Sequence, residues 1–242
     1  ESTGIVWLDE NFKWKAGELT TLTGIGNYGK STFMNFLMIQ KSLFDGTKWA
    51  VFSPENYPAD EWFFAMCEIY LSNGLTPDIS YRQSEDKFLK AYDFISEHFF
   101  YIYPKELAPT PTYIKSRFLE LVIKEKVKGC LIDPFNQMSN DYGSHGGRDD
   151  KYLETFLSDC SRFALENQIF FIIIAHPHKL QKNKDGGYDA PGGYDIAGGA
   201  MWLNKLDNLL SYHRPEHHKD PQSKRCELHV KKIRRQNIVG KL

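Results

Sequence analysis

The segment Gly24-Ile25-Gly26-Asn27-Tyr28-Gly29-Lys30-Ser31 matches Gly, four residues, Gly, Lys, Ser, a pattern that works only between a strand and a helix. Its flanks agree. Glu18 to Thr23, ELTTLT, reads as a short buried strand, and Ser31 to Ile39 has the apolar spacing of a helix. In that order backbone N–H groups and a positive helix end converge on one point, where a triphosphate's charge is best received. The pattern assigns phosphate contact to Gly24, Gly26, Asn27, Gly29, Lys30, Ser31 and Thr32. Lys30 is set against the β and γ phosphates and the Ser31 hydroxyl toward Mg²⁺, so ATP or another NTP with Mg²⁺ is the implied cofactor. Asn27 tolerates left-handed backbone angles, which lets the loop close. Tyr28 has two readings, covering the nucleotide or slowing it.

At 242 residues the chain suits one large α/β domain, because strand and helix signals follow each other without a linker-like break. Its 30 Lys and Arg against 31 Asp and Glu leave a net charge of −1 and a pI near 6.8, which offers nucleic acid no general attraction. Such binding must come from local basic segments. Cys67, Cys130, Cys160 and Cys226 form no CxxC pair, so neither zinc nor a disulfide framework is suggested. No apolar run nears the ~20 residues that span a bilayer, and no signal-peptide pattern opens the chain, so no membrane partner is expected. The start at Glu1, without Met, suggests a piece of something longer.

Along the chain, Trp7 and Trp14 are expected in the core or at its edge. Residues 48 to 53 read as a second buried strand ending at Pro54-Glu55, in the crevice where open α/β sheets bind ligands, and this makes Glu55 a candidate base. Helices are expected over 59–73, with Phe63, Phe64, Met66 and Tyr70 facing the core, and over 84–97. A strand at 98–103 and a helix at 113–126 follow, parted by Pro104, Pro109 and Pro111. Lys128 to Asp133 is a strand ending in an acid, as a phosphate-loop enzyme needs to hold its Mg²⁺ shell, and Asp133 joins Ser31 as a metal residue. Residues 136–150 read as a mobile polar loop and 151–167 as a helix.

Gln168 to Ala175 is an unbroken apolar strand, buried on both faces, and His176 follows at its tip, where it can sense the γ-phosphate. The Gly-rich loop at 179–200 carries Lys179, Lys182 and Lys184. His213, His217 and His218 lie in a Pro- and charge-rich turn without acidic or Cys partners at a metal-binding spacing, and are expected to face solvent. The last segment, from Cys226, alternates as a strand and ends in a basic tip. A tip carrying Lys232 and Arg234 has the form of an arginine finger, although a charge run is usually a solvated face.

Taken together, these residues resemble the motor domain of hexameric replicative DNA helicases of the DnaB type, and more closely its phage primase-helicase and Twinkle branch. GELTTLTG, Ser53-Pro54-Glu55, LIDPFNQM and Ala175-His176-Pro177 match the lead-in strand, catalytic glutamate, Walker B strand and histidine sensor. Tyr194 to Ala200 and then Asp207-Asn208 are similar to the stretch Asp-Leu-Arg-Gly-Ser-Gly and a later Asp, with Ala197 in place of the Arg and Asn204 in place of a nucleotide-reading Gln. Lys232-Ile233-Arg234 matches the Lys-x-Arg finger, which implies that Arg234 acts in a neighbouring subunit with Lys232 assisting.

The resemblance implies a RecA-like fold, a mostly parallel sheet flanked by helices with a C-terminal β-hairpin, over residues 1–242 as the C-terminal motor of a longer primase-helicase. It also implies ATP-driven 5′ to 3′ translocation on single-stranded DNA as a hexameric ring, the strand held by Lys179, Lys182 and Lys184 of the polar loop, with the fragment alone a monomer, and a primase domain or primase partner. A cytoplasmic setting in a bacterial or phage-infected cell is expected, with the mitochondrial matrix as the alternative. Two rival readings stand beside it: a recombinase or clock-type ATPase that does not unwind, and a low-turnover nucleotide-binding scaffold.

Overall fold

The structure is a computed structural model that describes residues 1–72, 85–103, 109–139, 148–178 and 180–242. Pro104, residues 140–147 of the polar loop and Lys179 lie outside the described residues. Among the described residues, seven strands form one sheet: β1 (Leu19–Gly24), β2 (Trp49–Phe52), β3 (Phe99–Tyr101), β4 (Gly129–Ile132), β5 (Phe170–Ile174), β6 (Asn208–His213) and β7 (Glu227–Ile233). Their order is β3-β2-β4-β5-β1-β6-β7. Every neighbouring pair is parallel except β6 and β7, which form the expected antiparallel C-terminal pair.

The helices are α1 (Val6–Asp9), α2 (Lys30–Asp45), α3 (Ala59–Ser72), α4 (Glu85–His98), α5 (Pro111–Glu125), α6 (Asp149–Asn167), α7 (Ala200–Lys205) and α8 (Gln236–Val239). They cover the sheet on both faces, and β5 shows how one strand serves two cores. Phe170, Ile172 and Ile174 meet α2 and α3 on one side, while Phe171 and Ile173 meet α5 and α6 on the other. Two-sided burial explains the unbroken apolar run. α5 begins earlier than its apolar spacing suggests because Thr110 caps it, its hydroxyl accepting the Tyr113 N–H, with Pro111 in the first turn.

Several expectations are corrected. Trp14 is in the core at 1% exposure, but Trp7 is 61% exposed, since the single turn of α1 buries Leu8 and sends Trp7 outward. On α3 the buried face is Trp62, Met66 and Ile69 with Cys67, which shares Met66 with the expected set but is otherwise rotated by about one residue, so Phe64 is exposed and Phe63 and Tyr70 are half-buried. The β6 run NLLSYH carries three polar residues and gives no strand signal in the sequence, yet every residue of it is buried. His213 is therefore buried, against expectation, and His217 is partly covered. The 180–199 loop is more ordered than its composition suggests, with Pro177 bridged to Ile196 and the Asn183 carbonyl accepting the Gly186 N–H. The four cysteines are free, as expected.

Gly129 of β4 faces Trp49 of β2, its register partner, and a Cβ there would come within 2.0 Å of the indole ring. Gly129→Ala is expected to destabilise the chain by about 1–3 kcal/mol or more through overpacking. Chemical denaturation checks this, and an unchanged midpoint would mean that Trp49 moves freely.

Candidate active site

The sheet decides where the site is. Because β1, β2, β4 and β5 run parallel, their carboxyl ends lie along one edge, and the segments after them bring Lys30, Glu55, Asp133 and His176 together. At the loop, Asn27 adopts φ 60° and Gly29 φ 93°, the left-handed angles that the sequence reading allowed for Asn27. Gly24 is required on two counts. Its φ is +154°, and a Cβ would lie 2.4 Å from the Tyr212 carbonyl oxygen. Gly29 caps α2, so the free N–H groups of the first turn open onto the loop, beside half-buried Ser31 and exposed Thr32.

Lys30 is 4% exposed, and its Nζ donates to the Ile25 carbonyl at 2.9 Å. Burial pulls its pKa down to about 8, and the carboxylates of Asp133 and Glu55 resist that fall. Asp133, at 3% exposure, is raised to about 6, first by burial and then by the charge of Glu55, while hydrogen bonds from Ser31 and Ser53 and the charge of Lys30 oppose the rise. A buried carboxylate with a hydroxyl bonded to it is a hard oxygen pair of the kind that holds Mg²⁺, which usually takes one or two carboxylates and completes its shell with phosphate and water. The residues present fit that ion.

Glu55 sits in the short turn Pro54–Asn56 after β2. Its Oε1 accepts the Gln137 Nε2 at 3.1 Å, and its Oε2 lies 4.0 Å from the His176 Nε2. Burial and the charge of Lys30 hold His176 below the ordinary histidine range, so the ring is neutral at neutral pH. Gln137 was not singled out from the sequence. Its only signal is its place in the polar run after the Asp133 strand.

Tyr28 is turned toward the segment that follows β6. It is 8% exposed and stacks on His217 with ring centres 4.3 Å apart. Two other predicted residues stand elsewhere. Lys232 donates its Nζ to the Leu203 carbonyl, and Arg234 pairs with Asp207 at 2.9 Å. Asp207 precedes β6 and its N–H bonds Leu19 at the start of β1, so this cluster lies at the opposite sheet end from Gly24. The pairs Thr20↔Asn208 and Gly24↔Tyr212 are four residues apart, about 13 Å of strand. Asn204 is exposed on α7, next to the Leu203 that Lys232 contacts. Lys182 and Lys184 are exposed on the turn around Asn183, and Ala197 offers its carbonyl to the Trp202 indole N–H at 2.8 Å.

Fold and site together describe a RecA-like α/β domain with a phosphate loop. No protein-family model matches the sequence. The chain is similar to the chloroplastic/mitochondrial Twinkle homolog of Arabidopsis thaliana, 27% identical over 247 residues, which takes in 100% of this chain and 34% of that protein. It therefore spans about a third of the length of that relative. In structure it matches a solved ATPase domain with a TM-score of 0.74 at 16% identity, over 96% of this chain and 83% of the other. A DnaB-like replicative helicase, described with its interactions with primase, matches with a TM-score of 0.73 at 17% identity, over 96% of this chain and 57% of the other. The likeness in sequence is to the Twinkle homolog, and the likeness to the ATPase domain and to the DnaB-like helicase is one of fold.

Because burial holds Lys30 near 8, a triphosphate bound above that pH must recharge it, and binding should take up a proton. Calorimetry at about pH 8.5, in buffers of different ionisation heat, is expected to show uptake approaching one proton. Asp133 is ionised throughout at that pH. Zero uptake would mean that Lys30 stays charged in the free protein.

Proposed function

We propose that the chain is the ATP-hydrolysing motor of a replicative DNA helicase, active as a ring whose sites are shared between neighbouring chains. One observation carries the reading. Lys30, Asp133, Glu55 and His176 meet at one end of the sheet, while Lys232 and Arg234 stand at the other, beyond reach of their own loop.

In this reading Glu55, held by Gln137, orients and deprotonates the attacking water, and Lys30 offsets charge on the γ-phosphate. Ser31 and Asp133 would hold Mg²⁺, which supplies charge neutralisation on the phosphates. A neighbour's Arg234, assisted by Lys232, completes the site. Neutral His176 feels the loss of the γ-phosphate. It passes that state along Pro177 and His178, which are tied to Ile196 and Asp195 of the second loop. Lys182 and Lys184, with Lys179, would hold the strand's phosphates, a contact that needs charge and little sequence information. Asn204 would read the nucleotide of a neighbour rather than its own.

Translocation 5′ to 3′, the hexamer, and a place as the C-terminal part of a longer primase-helicase are included in the proposal. The length of the Twinkle homolog supports that last point, and the DnaB-like helicase described with primase supports a primase partner. No helix among the described residues is long and apolar enough to cross a membrane. A cytoplasmic setting is also proposed. The organellar location in the relative's name is that protein's own. The left-handed Asn27 weighs against the low-turnover reading, since the loop closes without strain at a residue that tolerates those angles.

Hydrolysis with single-stranded DNA should fall on Glu55→Gln by about a hundredfold or more with nucleotide affinity kept. Wild type doped with Arg234→Ala should lose activity faster than dilution explains, at a ring-sized mass by light scattering. Loss only in proportion, from monomers, would refute the shared site.

A further inference from the structure

The basic tip is anchored at its root by two buried acids. Asp207 is 4% exposed and divides its carboxylate: Oδ2 accepts the Leu19 N–H at 3.0 Å, and Oδ1 meets Arg234 Nη1 at 2.9 Å. The Arg234 backbone N–H returns to the Asp207 carbonyl at 2.9 Å, and Nη2 lies 3.4 Å from the Leu206 carbonyl. Beside it Glu18, 3% exposed, accepts Asn208 Nδ2 at 2.9 Å and lies 3.6 Å from Arg235 Nε and 3.9 Å from Lys15 Nζ.

Exposed ion pairs contribute little, but here each acid is buried and its loss of partner would leave a charge out of water. The arginine side chain, 46% exposed, is therefore tethered on one side and open on the other. A guanidinium has five N–H donors in a rigid fork. Two contacts to Asp207 and Leu206 leave the remaining donors for phosphate oxygens, with the side chain's rotamer freedom already spent before it meets them.

We propose that Asp207 is a positioning residue for Arg234, fixing the guanidinium at the sheet edge so that a neighbouring chain's phosphate meets it preorganised. Glu18 steadies Arg235 alongside. The inference rests on the arginine-finger reading. Because the same carboxylate holds the Leu19 N–H, the finger keeps a set position relative to the strand that ends in its own chain's phosphate loop.

Asp207→Asn tests it, since the amide oxygen still accepts the Leu19 N–H while the charge is gone. On the intact protein with single-stranded DNA, kcat for ATP is expected to fall by about tenfold or more with KM, nucleotide affinity and melting temperature unchanged. The double variant with Arg234→Ala should fall no further than Arg234→Ala alone. An Asn variant at wild-type kcat or above, beside an impaired Arg234→Ala, overturns the inference, as do losses that multiply. Full activity in Arg234→Ala removes the finger reading beneath it and the inference with it. Should the Asn variant not fold, NMR of the unaltered protein decides: resolved Arg234 Nη signals are expected, and one averaged signal overturns the hold.

Discussion

One placement governs the active end of this molecule: an ammonium group, Lys30, set almost out of water at the start of a helix. Burial pulls its pKa to about 8, and the Ile25 carbonyl and two carboxylates, Asp133 and Glu55, offset that cost. Asp133 is itself raised to about 6 by burial, so neither charge is comfortable alone. A ligand bearing the opposite charges, an anion for Lys30 and a cation for Asp133, would offset the burial that shifts both groups.

Holding the loop in place is the work of the β6–β7 pair. The Tyr212 carbonyl packs so close to Gly24 that no side chain fits there, the Tyr212 ring stacks on Phe33 of α2 at 5.0 Å, and Tyr28 closes over His217 in the turn that follows β6. The same pair then carries the chain away. β7 runs antiparallel to every other strand, so it returns the basic tip to the end of the sheet from which β1 started. The domain thus carries Lys30, Glu55, Asp133 and His176 at one end and a tethered arginine at the other, and in the proposed head-to-tail ring the two ends would meet.

Much of this was legible in the sequence. The phosphate loop follows from its own glycine and lysine pattern, and the acid ending β4, Glu55 after β2 and His176 after β5 follow from strands whose apolar runs need no partner to be recognised. β6 was not, because Asn208, Ser211 and His213 are polar and gain their burial from tertiary neighbours; Asn208 finds its acceptor in Glu18 at 2.9 Å. Phe64 was placed inward for a related reason: helical spacing shows that a face is apolar, but the body it packs against decides the phase.

The sequence by itself determined the chemistry on offer, a loop for a triphosphate, acids at strand ends and a basic tip, since each is a local pattern of backbone and side chain. Only the tertiary structure decided which charges meet. Leu19 and Asp207 lie 188 residues apart, and no local rule pairs them. Their contact exists because β1 and β6 are neighbours in a parallel sheet, and that adjacency puts Arg234 at the end away from its own loop.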